Sequence, residues 1–100
     1  MQVFINGRRH ITDAKGEYNE KTGELVLYKG STVSEEVVDF KNRESVLKKR
    51  EGLIDKNYVV KKDIVFLSAS AAAEFVCGYS VNGLNAWHVE KHKYLKDVLK

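Results

Sequence analysis

Ser68-Ala69-Ser70-Ala71-Ala72-Ala73-Glu74-Phe75-Val76-Cys77-Gly78 is the stretch that decides how this chain folds. Ser68 can cap a helix with its side-chain oxygen, and Gly78 is free to take the left-handed conformation that closes one. Wound as a helix, Ala69, Ala72, Ala73, Phe75, Val76 and Cys77 share one side, while Glu74 faces away. The small alanines imply close approach to a sheet. Cys77 reads as a small buried hydrophobe rather than a nucleophile, since nothing beside it in sequence would lower its pKa.

The segments on either side supply that sheet. Tyr58-Val59-Val60 and Ile64-Val65-Phe66-Leu67 are rich in β-branched and aromatic residues, and Lys61-Lys62-Asp63 reads as a tight connection between two paired strands. Earlier, Glu17-Tyr18 and Glu24-Leu25-Val26-Leu27-Tyr28-Lys29 flank a polar loop with glycine late in it, which is a hairpin signal. Gly30 should end the second strand, and residues 31–39 are expected to run outward. In residues 43–55, Val46, Leu47, Leu53 and Ile54 fall on one helical arc, with Arg50 in its middle. A guanidinium there must snorkel, find a carboxylate or carbonyl partner, or be presented at a groove.

Beyond the alanine helix, Asn82-Gly83 suits a type I′ turn, because both residues tolerate positive φ, and a strand through Trp87 should follow. Tyr94, Leu95, Val98 and Leu99 then recur at helical spacing in residues 90–100. The expected fold is α+β: a small antiparallel sheet, made of an N-terminal hairpin plus a strand pair, packed by two main helices and a short C-terminal helix.

At 100 residues the chain fits one domain, residues 1–100, with a core that needs no staples. Its one cysteine cannot form an intramolecular disulfide, and no Cys/His cluster suggests a structural metal, so a reducing cytoplasm is the expected compartment. The N-terminus lacks the layout of a signal peptide and no apolar run is long, so no membrane association is expected. The net charge of +3 is unevenly spread. Residues 13–40 carry seven acids against three bases, and residues 41–62 carry eight bases against three acids. That asymmetry permits an anionic partner, although lysine-rich faces also serve solubility.

Catalytic motifs are wanting. His88 and His92 stand four apart, but the acid between them is Glu90, in the wrong place for a zincin, and no third ligand suggests itself. Gly78-Tyr79-Ser80-Val81-Asn82 has asparagine where a nucleophile elbow needs its second glycine, and it follows a helix rather than a strand. Lys29-Gly30-Ser31 lacks the upstream glycine and the Gly-Lys order of a phosphate loop, Val26 standing in that glycine's place. With no dinucleotide fingerprint and no carboxyl or imidazole singled out for a desolvating pocket, the domain is expected to be non-enzymatic and to use no cofactor or metal.

The ordered set of short motifs says more than any one of them. Asp13-Ala14-Lys15-Gly16-Glu17-Tyr18, Leu25-Val26-Leu27-Tyr28-Lys29-Gly30-Ser31, Arg50 with Leu53-Ile54, Asp63 and Phe66, the alanine helix, Gly78, Asn82-Gly83 and Trp87 occur here in sequence. Over residues 13–100 the chain resembles the uncharacterised domain that trails many GIY-YIG-type nucleases and occurs in some restriction–modification proteins. More remotely it is similar to the domain associated with restriction enzymes and adenine methylases, which has been proposed to read modified DNA. The departures are Ala69 where proline is usual, Leu84 where a bulky or aromatic residue is frequent, and a shorter loop after the Arg50 helix. The chain has neither the GIY and YIG strands nor the arginine and glutamate setting of the nuclease itself, so it is a piece of a longer protein or a free-standing copy of the accessory domain.

The resemblance and the basic stretch together imply an accessory domain that binds DNA and places an associated nuclease or methylase on it. Lys29, Ser31, Lys48, Lys49, Arg50, Lys61 and Lys62 would meet phosphates, and Asn82 and Trp87 would supply amide and aromatic contacts near a base. In the blander interpretation of those residues, Asn82 makes a turn, Trp87 is core and Arg50 pairs with backbone. The alternative function is a docking module that contacts a partner subunit through Tyr28, Phe40 and Tyr79 and touches no nucleic acid.

Overall fold

The computed structural model describes residues 1–6 and 12–99. Its strands are β1 (Gln2–Asn6), β2 (Asp13–Tyr18), β3 (Leu25–Leu27), β4 (Ile64–Phe66), β5 (His88–Glu90) and β6 (Lys93–Tyr94). Its helices are α1 (Arg43–Arg50), α2 (Ala69–Cys77), α3 (Gly83–Ala86) and α4 (Leu95–Val98). The strands form one sheet in the order β4-β3-β2-β1-β5-β6, and every pairing is antiparallel. The fold is therefore α+β with a small sheet. Among the described residues no helix is long and apolar enough to cross a membrane.

Alternation along the strands gives the sheet two unlike faces. Val3 and Ile5 of β1, Ala14 and Tyr18 of β2, Leu25 and Leu27 of β3, and Ile64 and Phe66 of β4 all point into one core with α2. That helix contributes Ala69, Ala72, Ala73, Phe75 and Val76, as its alanine stripe requires. Trp87 and Leu95, both fully buried, complete the core beside α3 and α4. The residues between the inward ones face the other way, and no helix of the core cluster lies over them.

Both ends of α2 are closed as its sequence predicts. Ser68 Oγ accepts from the Ala71 amide at 3.1 Å, and Gly78 adopts φ 78° while its amide donates to Glu74 O. A Cβ on Gly78 would collide with Glu36 O and with Ser34 Oγ, so glycine is needed there for space as well as for φ.

The reason for that crowding is the course of residues 31–40, which corrects the outward path expected of them. Ser31, Val33 and Ser34 are buried, and the chain runs past the C-terminus of α2. The Ser34 amide donates to Val76 O at 2.8 Å and the Val38 amide to Gly78 O at 2.9 Å. Carbonyls at a helix C-terminus lack partners within the helix, and this segment supplies them.

Arg50 supplies the rest. Its Nε and Nη2 donate to Phe75 O at 3.1 and 2.6 Å, its Nη1 donates to Ser34 O at 2.8 Å, and Nη2 also reaches Ser34 Oγ at 3.1 Å. The guanidinium thus closes α2 from the end of α1 and pins residue 34 to both helices. Its charge sits at the negative end of the α2 dipole, which favours a cation.

Three expectations about local structure need correction. The helix expected over residues 43–55 stops at Arg50: Gly52 takes φ 77°, and Ile54 instead bridges Val60. Tyr58-Val59-Val60 does not pair with Ile64-Val65-Phe66. Val59 and Val60 bridge Thr32 and Ile54, whereas β4 crosses to β3. Val33 and Val60 from these bridged segments are buried in the same core as the sheet, the Val33 amide donating to Tyr58 O and the Val60 amide to Ser31 O. Finally, Asn82-Gly83 is not a type I′ turn. Asn82 has φ −82° and caps α3, its Oδ1 accepting from the Leu84 amide at 2.9 Å. Gly83 is helical, and any Cβ on it would strike the backbone of Ala69 and Ser70, so this glycine serves close packing between α2 and α3.

Arg50→Met should therefore lower stability by about 3 kcal/mol, because two buried carbonyls lose their donor at roughly 1–3 kcal/mol each. Chemical denaturation followed by circular dichroism checks this, with Arg50→Lys recovering only part of the loss because an ammonium cannot fork between the two carbonyls. Gly83→Ala should destabilise by a comparable amount in the same measurement, despite alanine's higher helix propensity.

Candidate nucleic-acid interface

Phosphate binding needs exposed, unpaired cations. Lys48 and Lys49 satisfy this on the last turn of α1, as do Lys61 and Lys62 in the turn before β4. The two pairs are joined through backbone: the Lys61 amide donates to Leu53 O at 2.9 Å, and the Leu53 amide donates to Arg50 O at 3.0 Å. Lys29 belongs to the same neighbourhood, because its amide donates to Asp63 Oδ1 at 2.8 Å and the next amide, Gly30, to Val60 O at 2.9 Å. Among the described residues the only ion pair joins the N-terminal amine to Glu17, at 2.7 Å. These lysines therefore form no ion pair among the described residues, although Lys49 Nζ also lies 4.6 Å from the centre of the Phe66 ring.

The structure withdraws the other expected contacts. Arg50 is 8% exposed and spends its donors on carbonyls, so it presents nothing to a phosphate. Ser31 is buried, its Oγ accepting from the Lys15 amide at 3.1 Å and donating to Lys15 O. Trp87 is fully buried and its Nε1 donates to Ala69 O at 3.0 Å, which leaves no face for a base. Asn82 is exposed, but its amide oxygen is committed to the α3 cap. In each case burial or a backbone partner consumes the group that recognition would need.

A second set of residues is brought together by the sheet register in a way that sequence reading missed. The outward face of the sheet carries a row that crosses four strands at one level. Phe4 of β1 is paired with Lys15 of β2 on one side and His88 of β5 on the other, and His88 is paired with Tyr94 of β6. Tyr28 extends the row beyond Lys15, to which its amide is bonded at 2.9 Å. The Phe4 and His88 rings stack with centroids 5.3 Å apart and planes 16° apart, and His88 and Tyr94 lie 4.2 Å apart. Lys96 Nζ stands 5.9 Å from the Tyr94 ring centre. Where the row reaches Lys15 and Tyr28, a cleft of about 280 Å³ opens, lined also by Asp13, Lys29, Gly30 and Ser31.

A family profile described as "Domain of unknown function (DUF4357)" matches residues 4–99. The chain belongs to this family. The matched region begins within β1, nine residues before the resemblance noted at Asp13, so the central strand is part of the DUF4357 domain. No curated protein and no solved structure matches the chain.

At the C-terminal end of α2 in the DUF4357 domain, Cys77 and Tyr79 perturb one another's ionisation, and the charge of Arg50 acts on Cys77 as well. Burial pushes the Cys77 thiol above its ordinary value, against the smaller opposing pull of the Tyr79 hydrogen bond and the Arg50 charge. Tyr79 is raised chiefly by the charge that Cys77 would carry. Neither group is poised as a nucleophile at neutral pH. Pocket-lining residues around Arg43 and Tyr58 include Glu35, Glu51 and Asp55, carboxylates that would repel an anionic ligand, and Tyr58 there holds φ 62°.

At neutral pH a thiol-specific maleimide should label Cys77 far more slowly in the folded chain than in guanidinium chloride. Because the folded thiol pKa is raised, its stabilising contribution is complete below the unfolded thiol value of roughly 8.5 and is lost as pH rises through the folded value. Urea midpoints measured across that alkaline range should therefore fall less for Cys77→Ala than for the unaltered chain.

Proposed function

We propose that this domain is a non-catalytic accessory module that binds DNA and thereby positions an associated nuclease or methylase, a role that belongs to the cytoplasm. The observation that carries the reading is the group of Lys29, Lys48, Lys49, Lys61 and Lys62, exposed, without an ion pair among the described residues and linked through neighbouring backbone. Contacts of this kind fix a protein on a duplex without reading its sequence, which suits a module whose partner supplies the chemistry. The kind of partner is drawn from the resemblance to the domain that trails GIY-YIG-type nucleases and occurs in restriction–modification proteins.

A docking role without nucleic acid is the second reading, and one observation favours it. Val65 and Leu67 are 56% and 82% exposed on the edge strand β4 and just beyond it, where an added strand from a partner would find both apolar side chains and unpaired backbone.

Fluorescence anisotropy with plain and adenine-methylated duplexes at two salt concentrations separates the two readings. Phosphate binding should weaken by about 0.9 log units per neutralised contact for each tenfold rise in salt, whereas an apolar edge should barely respond. The double reversals Lys48→Glu with Lys49→Glu, and Lys61→Glu with Lys62→Glu, should each weaken duplex binding at least tenfold and flatten its salt dependence. Circular dichroism should show the fold unchanged. Flat titrations of the unaltered domain at low salt would remove the DNA reading.

A further inference from the structure

We propose that the outward face of the sheet is a stacking platform for the unpaired bases of single-stranded DNA. The proposal rests on the DNA-binding reading above and assigns it a second surface with a different ligand form. A base offers a planar π-face and a phosphate offers a charge, and a single strand presents both at short, regular intervals. The row Tyr28, Lys15, Phe4, His88, Tyr94 offers partners for both in the same order across the strands.

Three observations favour this occupant. First, the rings form one stack, with centroids 5.3 and 4.2 Å apart and His88 between the other two, and a base can prolong such a stack beyond Phe4 or Tyr94 without matching a sequence. His88 has Phe4 on one side and Tyr94 on the other, and its buried Nδ1 has no hydrogen-bond partner among the described residues. Second, cations bracket the rings. Lys15 stands beside Phe4, Lys96 lies over Tyr94, and Lys29 joins Lys15 in lining the cleft at the Tyr28 end. Asp13 is the one carboxylate lining that cleft, so the two lysines there leave it net positive. Third, the sheet face is wrong for a duplex. Its rings stand on a broad surface that enters no groove, and paired bases already stack on one another, whereas unpaired bases have π-faces to give. A protein partner fits less well, because this face sets lysines among its rings where a protein interface core is depleted of charge.

The test uses the full chain and a short single-stranded DNA in which one adenine is replaced by 2-aminopurine, whose emission changes when the base stacks on an aromatic ring. Addition of the domain should alter that emission and raise the anisotropy of the strand. Phe4→Leu keeps an apolar side chain but no π-face, and Tyr94→Leu does the same at the other end. Each should weaken single-strand binding about tenfold, roughly 1.4 kcal/mol, while duplex binding stays unchanged. Lys48→Glu with Lys49→Glu should do the reverse, losing the duplex and keeping the 2-aminopurine signal.

Unchanged emission, or Phe4→Leu binding the single strand as well as the unaltered domain, would overturn the platform. If duplex binding then remains salt-sensitive and lysine-dependent, only this inference fails; if no nucleic acid binds in any form, the proposed function fails with it. Tighter binding of an RNA of the same sequence would overturn the assignment to DNA. Sedimentation showing a dimer that Phe4→Leu dissociates would make the face a contact between copies and would likewise overturn it.

Discussion

One guanidinium organises the helical side of this domain. The last turn of any helix leaves carbonyls without partners, and a helix buried against a sheet cannot send all of them to water. In α2 the Phe75 carbonyl is met by Arg50, and the Val76 carbonyl by the amide of Ser34, which Arg50 also holds through its own carbonyl and hydroxyl. Removing a charge from water is costly, and burial pulls the Arg50 pKa below its ordinary value. The cost is offset because every strong contact is charge-assisted and the site lies at the negative end of a helix dipole. Fixing Arg50 fixes the end of α1, the path of residues 31–40 and the exit of α2 together.

That arrangement leaves the rest of the surface available. The core is built from the inward face of the sheet, α2 and the fully buried Trp87 and Leu95, and the basic segment is turned out around the end of α1. Exposed lysines and the outward face of the sheet, which no helix of the core covers among the described residues, are thus consequences of one-sided packing. A sheet covered by helices on both faces could not have shown an aromatic row, and a cation buried as Arg50 is could not have served a phosphate.

Legibility in the sequence followed the range of the interaction. The ends of α2 were readable because Ser68 and Gly78 act on their own backbone, and the hairpin was readable because a polar loop with a late glycine runs directly into the β-branched and aliphatic run Leu25-Val26-Leu27. Strand β1 was not read as such, since Val3-Phe4-Ile5 is brief, and its central place depends on β5, more than eighty residues away in sequence. The same distance hid Phe4, His88 and Tyr94: each looks ordinary alone, and only the register brings them side by side. Arg50 was flagged as needing a carbonyl or a carboxylate, but which carbonyl depends on where residue 34 passes. Asn82-Gly83 misled because its turn chemistry and its cap chemistry draw on the same residues, and contact with Ala69 and Ser70 decided between them.

The Asn82-Gly83 pair has a chemical consequence too. Asparagine before glycine is prone to deamidation, in which the glycine nitrogen attacks the side-chain amide carbon and closes a five-membered imide. Here the Gly83 nitrogen donates to Ser70 Oγ at 2.9 Å, and the Asn82 side chain is held by the Leu84 amide. Nucleophile and electrophile are each engaged elsewhere, so the fold protects this Asn-Gly pair, and ageing at this position becomes a record of time spent unfolded.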